Sequence, residues 1–196
     1  MKKIYFLTFL LFPFYLWAAD DSISSYMNLE EVVVSAIRVS EKTPISHSNI
    51  EQKEIQSNNY GQDIPYLIQN TPSVVVTSDA GNGVGYTDIR IRGVDASRIN
   101  VTTNGVPRND AESHKMYWVD TPDLASAVNS MQIQRGAGSS TNGAGAFGAS
   151  INMQTGELSV KPYATFNGSY GSFNTHKSYV NFGQTLRCGF TYEMNV

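Results

Sequence analysis

The one long apolar run in this 196-residue chain lies at its very start. It extends from Ile4 to Trp17, broken only by Thr8 and Pro13, and follows the basic Met1-Lys2-Lys3. A helix needs about 17 or more apolar residues to cross a bilayer, so the run is too short to span one. Ala18-Ala19 and then Asp20-Asp21 come next. The whole has the basic start, apolar middle and small-residue exit of a secretory signal peptide. Trp17 stands two before Ala19, a poor place for a large residue, which favours a cut after Ala18. A membrane anchor is the alternative. No later segment resembles a transmembrane helix, so any membrane role falls to β-strands or to parts outside this sequence.

Without Lys2 and Lys3 the chain carries 12 basic against 17 acidic groups. That balance argues against a nucleic-acid partner, which needs a basic face. Charged residues are 16% of the chain, against about 25% in an ordinary soluble domain. A single cysteine, Cys188, excludes an internal disulfide and a Cys-rich zinc module. The length suits one domain of about 150 residues with a tail.

Residues 19–40 read as a flexible N-terminus containing one β-branched run, Leu29 to Ala36, with strong strand propensity. A domain follows over 41–155. Its expected helices are Ile50–Ser57, Gln62–Asn70 and a short one opened by Thr121-Pro122, with Thr121 as N-cap. Its expected strands are a buried-type Ser73–Thr77, then Asp88–Arg92, Ile99–Thr103, Met131–Arg135 and Ala149–Thr155. Asn104-Gly105 is a hairpin signal. The glycine-bearing Ser78–Thr87 must be an exposed loop. After Gly156 the character changes to segments of about ten residues with period two, rich in Tyr and Phe. They resemble transmembrane barrel strands, with a soluble hairpin as the alternative.

Chemistry is sparse. Gly143 to Gly148 matches a dinucleotide fingerprint, but a strand follows it where a helix is required. There is no Walker lysine and no G-x-S-x-G nucleophile. Asp110, Glu112 and His114 recur at spacing two, which would place them on one face of a strand, able to ligate a metal or do acid–base work. Their polar neighbours Arg108, Asn109, Ser113 and Lys115 favour a plain exposed loop. His47 and His176 stand isolated. No enzyme and no cofactor is expected.

Several motifs in order resemble the TonB-dependent outer-membrane receptor family, over roughly Leu29 to Thr155. Glu31-Val32-Val33-Val34-Ser35-Ala36 resembles a TonB box. Ile89-Arg90-Ile91-Arg92-Gly93 resembles the I-R-G strand, and Asn104-Gly105-Val106-Pro107 the D-G-x-P turn, with Asn in place of Asp. Ile133-Gln134-Arg135-Gly136 and the stretch from Asn142 to Asn152 resemble R-G-P…Y-G…G-G-x-I-N, with Ala137 for Pro and Asn142 for Tyr. The resemblance implies an α+β fold: a small mixed-sheet plug domain with short helices, then the first antiparallel strands of an incomplete transmembrane β-barrel. It implies energy-coupled uptake of a scarce nutrient, a ferric siderophore or other iron complex, across the outer membrane of a Gram-negative bacterium. TonB is the implied partner of Glu31 to Ala36. Arg92 and Arg135 are the implied plug contacts to barrel acids.

The ligand-facing apices expected from this resemblance are Ser78–Thr87, offering Asn82 and Tyr86, and Arg108–Trp118, offering Arg108, Asp110, Glu112, His114, Tyr117 and Trp118. Tyr117 and Trp118 are alternatively core residues. The 41 residues after Thr155 hold two or three strands of the roughly 22 in such a barrel. The chain over 156–196 is therefore expected to be a barrel begun and truncated. A stand-alone periplasmic binding module with the same fold is the competing reading.

Overall fold

The computed structural model describes residues 38–195 apart from 41, 139–141, 144, 157–160, 175 and 187–189. The leader and the run Glu31 to Ala36 lie outside the described residues. In chain order the elements are β1 (His47–Glu51), α1 (Gln52–Asn58), α2 (Ile64–Leu67), β2 (Val74–Ser78), β3 (Thr87–Ile91), β4 (Ile99–Thr103), β5 (Val106–Pro107), α3 (Leu124–Ala127), β6 (Val128–Arg135), β7 (Ala149–Thr155), β8 (Tyr163–Tyr170), β9 (His176–Thr185) and β10 (Thr191–Asn195). Short 3-10 turns cover Ala96–Arg98, Trp118–Asp120 and Ser172–Asn174. None of the described helices is long and apolar enough to cross a membrane, which leaves strands open.

A five-stranded sheet in the order β1-β6-β7-β4-β5 forms the centre. β4 and β7 are parallel, and the other neighbours are antiparallel. Strand alternation gives this sheet an apolar face of two rows. Ile50, Met131 and Met153 stand side by side in one, and Ile133, Ile151 and Val101 in the other. All six belong to the core cluster, with Ile55 of α1, Ile64 of α2 and Ile68 just beyond it, Ile89 and Ile91 of β3, and Trp118. β2 and β3 form a separate antiparallel hairpin, and β8, β9 and β10 an antiparallel sheet of three.

Asn104 and Gly105 take φ of 51° and 80°, the positive pair that a two-residue type I′ turn demands. The amide of Asn104 does further work. Its Oδ1 accepts from Thr155 N at 2.9 Å, and its Nδ2 donates to Thr155 Oγ1 at 2.7 Å. An aspartate there could keep both links only with the Thr155 hydroxyl reversed to donate.

Several expected elements are corrected. β1 did not announce itself, since Ile50 is its one buried residue; pairing with β6 creates it. Ile50 thus ends on a strand, and the first helix begins at Gln52. The helix expected over Gln62–Asn70 is a single turn, although Ile64 and Ile68 are both buried as its spacing required. The Val74–Val76 run is not fully buried: Val75 is 58% exposed while Val74 and Val76 pack on the core. Thr121 is not the cap of α3. Asp123 is, in a left-handed conformation (φ 53°).

Candidate functional site

The loop between β2 and β3 is tied down at its middle. Asp63 N donates to Gly83 O at 2.8 Å, Gln62 Nε2 donates to Asn82 O at 3.0 Å, and Thr87 Oγ1 donates to the Asp63 carboxylate at 2.5 Å. Asn82 is exposed, but its Oδ1 already accepts from Val84 N. Tyr86 points its ring into solvent, 68% exposed.

The second loop leaves β5 and folds on itself around Asn109. That side chain accepts from Val101 N at 2.7 Å and donates to Ile99 O and His114 O, both at 2.8 Å. Asp110 Oδ2 accepts from the backbone of Glu112 and Ser113 and from Ser113 Oγ. The bonds from Ser113 hold this carboxyl below the usual carboxylate range. Residues 111–113 form a turn, so Asp110, Glu112 and His114 do not share a strand face. His114 sits at φ 57°, exposed like Glu112. Among the described residues no three His, Cys, Asp or Glu side chains gather as a metal site.

Lys115 ties the second loop to β3 and to the turn that follows it. Its Nζ lies 3.8 Å from Asp88 Oδ2 at the start of β3 and 3.9 Å from Asp95 Oδ2. Hydrogen bonds from Ser97 hold Asp95 below the usual carboxylate range, with smaller help from Lys115. Beyond Lys115 the chain turns inward. Trp118 is 3% exposed and part of the core, while Tyr117 is 42% exposed. Trp118 is therefore corrected from ligand contact to core residue, and Tyr117 remains on the surface.

Two clefts flank this segment. The smaller, about 310 Å³, is lined by Arg108, Asp110, Tyr117 and Asp120 among others. The larger, about 590 Å³, lies between Tyr60, Val84 and Gly85 on one side and Val119, Asp123 and Lys177 on the other. Sequence reasoning missed Lys177. Its ammonium donates to Asn59 Oδ1 at 3.0 Å, Ser126 Oγ at 2.9 Å and Asp123 Oδ1 at 2.5 Å. It thereby fastens β9 to the first domain, using all three of its hydrogens.

Arg92 is exposed and adopts φ 54°. Its Nη1 lies against Gly136, 3.3 Å from where a Cβ would stand. Arg135 donates to Ser46 Oγ, Ser48 Oγ and His47 O at 3.1, 2.8 and 3.3 Å. These partners are neutral. Neither arginine takes part in an ion pair among the described residues.

A family model described as TonB-dependent Receptor Plug Domain matches residues 39–150. No curated protein sequence matches the chain. Among solved structures, the ferripyoverdine receptor of the outer membrane of Pseudomonas aeruginosa superposes with a TM-score of 0.62 at 16% identity, over 80% of this chain and 20% of that one. The ferric yersiniabactin uptake receptor FyuA of Yersinia pestis gives 0.57 at 20% identity, over 73% and 22%. The alcaligin outer-membrane receptor FauA of Bordetella pertussis gives 0.57 at 21% identity, over 76% and 24%. This chain thus spans about a fifth to a quarter of the length of these structures.

Proposed function

Because this chain belongs to the TonB-dependent receptor plug domain family, we propose that it forms the plug-bearing N-terminal part of an outer-membrane receptor for energy-coupled uptake of an iron chelate of the siderophore type. The observation that carries the reading is one of order. A plug-family domain is followed at once by antiparallel strands with bare aromatic side chains, Phe166 75% and Tyr170 78% exposed. Exposed aromatic surface on a strand calls for a covering neighbour or lipid. The solved structures that the fold matches are named for ferripyoverdine, ferric yersiniabactin and alcaligin, which favours the same class of cargo.

In this reading Glu31 to Ala36 add as a strand to TonB, with backbone bonds giving the affinity. Proline at Val33 removes one of those N–H groups and fixes φ. In a complete receptor carrying this domain, Val33→Pro should abolish uptake while chelate binding stays normal; uptake at the wild-type rate would overturn the assignment.

Arg92 and Arg135 present uncompensated positive charge to acids of the barrel wall, and Arg108, Tyr86 and Tyr117 face the cargo with Asn82, Glu112 and His114 around them. An arginine can hold an anionic chelate while aromatic rings pack on it. In that receptor Arg108→Ala should weaken chelate binding about tenfold or more, the loss of one charge-assisted contact. Arg92→Ala should leave affinity unchanged and loosen plug retention, read as faster proteolysis of the plug. Unchanged affinity in the first variant would return the second loop to a merely solvated role.

A further inference from the structure

The central sheet has two unlike faces. Opposite the isoleucines and methionines runs a polar row across four strands, in register: Asn49 of β1, Gln132 of β6, Asn152 of β7 and Thr102 of β4. Gln132, Asn152 and Thr102 are buried. Thr102 Oγ1 donates to Asn152 Oδ1 at 2.7 Å, and Gln132 Nε2 donates to Asn49 Oδ1 at 2.8 Å. Behind them Gln134 and Ser150 are wholly buried, and Asn142 Nδ2 donates to both, at 2.9 and 3.0 Å.

Part of this polar face lies beneath the segment Arg38–Val39. Gln132 grips it in both directions. Its Oε1 accepts from Val39 N at 2.8 Å, and its Nε2 donates to Val39 O at 2.9 Å. Gln134 Nε2 takes the remaining lone pair of Oε1, so all four hydrogen-bonding positions of the Gln132 amide are used. Arg38 adds a second grip. Its Nη1 donates to Ser130 Oγ at 2.9 Å, and its Nη2 to Ser130 O and Asn152 O at 3.0 and 3.2 Å.

We propose that Arg38–Val39 is a releasable strap, clamped by the Gln132 amide and the Arg38 guanidinium, which lifts away while the five-stranded sheet stays folded. The two faces differ in what opening them costs. Lifting the strap exposes one buried apolar side chain, Val39, and uncovers Gln132 and Asn152, whose bonds water can replace. Asn152 Nδ2 and Arg38 Nε are buried with no partner at all, so water reaching them offsets part of the loss. Opening the other face would expose Ile133, Ile151 and Met131, for which water offers nothing. The join between Arg38–Val39 and the sheet can therefore open without disturbing the apolar face. Release of the strap depends on neither the cargo nor TonB.

The test uses the full chain in detergent with trypsin, which cuts after Arg38 only when the strap leaves the sheet. Cleavage of such an opened state tracks its population when reclosing is fast. Each rate at the 38–39 bond is read by mass spectrometry and normalised to that of the unfolded chain. Gln132→Leu should speed this cut about tenfold or more, as expected for losing two hydrogen bonds, and Gln132→Glu, which keeps only the acceptor, should fall between. Arg38→Lys alters the strap alone, keeps the cleavage site and should also speed the cut. Amide exchange over β6 and β7 should stay at the wild-type rate in Arg38→Lys. An unchanged cut in both Gln132→Leu and Arg38→Lys, or loss of protection across β6 and β7 in Arg38→Lys, would overturn the proposal.

Discussion

Trp118→Ala is expected to lower the stability of the domain by about 3–5 kcal/mol, the usual cost of truncating a large buried aromatic residue. The indole is 3% exposed and clusters with the core residues of the sheet. Its backbone is fixed by a 3-10 turn, with Thr121 N and Thr121 Oγ1 both donating to Trp118 O. Alanine would leave a cavity that this short turn, tied at both ends, cannot collapse to fill. Since small domains hold only about 5–15 kcal/mol in total, the variant should lose much of its margin. Urea unfolding of the chain measures it, with Trp118→Phe as the milder companion. If Trp118 faced a ligand instead of the core, the alanine variant would unfold at the wild-type midpoint.

Gly148→Ala should cost about 1–3 kcal/mol through overpacking, a large effect for one methyl group. A Cβ at this position would stand 2.5 Å from Val94 Cγ1, 2.8 Å from Val94 Cβ and 3.2 Å from Arg98 O. The backbone cannot move aside, because Gly148 N donates to that same Arg98 O at 2.9 Å while Gly148 O accepts from Gly136 N at 2.8 Å. Val94→Ala removes the Cγ1 contact and leaves the one to Cβ, so it should recover part of the loss and make the double variant more stable than additivity predicts. Strictly additive losses would show that some other constraint holds the glycine. Here the last glycine of the nucleotide-like pattern has a plain packing role.

What could be read in advance divides along the range of the interactions. The hairpin at Asn104-Gly105, the strand at Ile99–Thr103 and the strand beginning at Ala149 depend on local turn chemistry or on tight alternation, and both are written in neighbouring residues. β1 was illegible because its strand character is imposed by β6, more than eighty residues away, as the Asn49–Gln132 bond shows. The helix expected over 62–70 is one turn because its apolar spacing marks a buried face and says nothing of how far the helix extends. At the site, Trp118 and Tyr117 are adjacent and both aromatic, and only the turn decides which is buried. Asp110 looked free in the sequence, whereas its carboxylate is committed to the turn it caps. Two motifs of the family were legible because they fix a backbone conformation, at Arg92 and at Asn104. Lys177 was not, since its partners Asn59, Asp123 and Ser126 are scattered through the chain.

The parallel pairing of β4 with β7 bears on when this domain can form. β4 ends at Thr103, and its partner does not begin until Ala149; β1 likewise waits for β6. β7 occupies the middle of the sheet and is the last of its strands in the chain. No stable half of the sheet therefore exists for a nascent chain that stops short of Thr155. Contacts this distant in sequence make folding slow, on the order of milliseconds to seconds. A polypeptide so ordered stays pliable while it is still being threaded through a narrow exit, and becomes compact only once its closing strand has arrived.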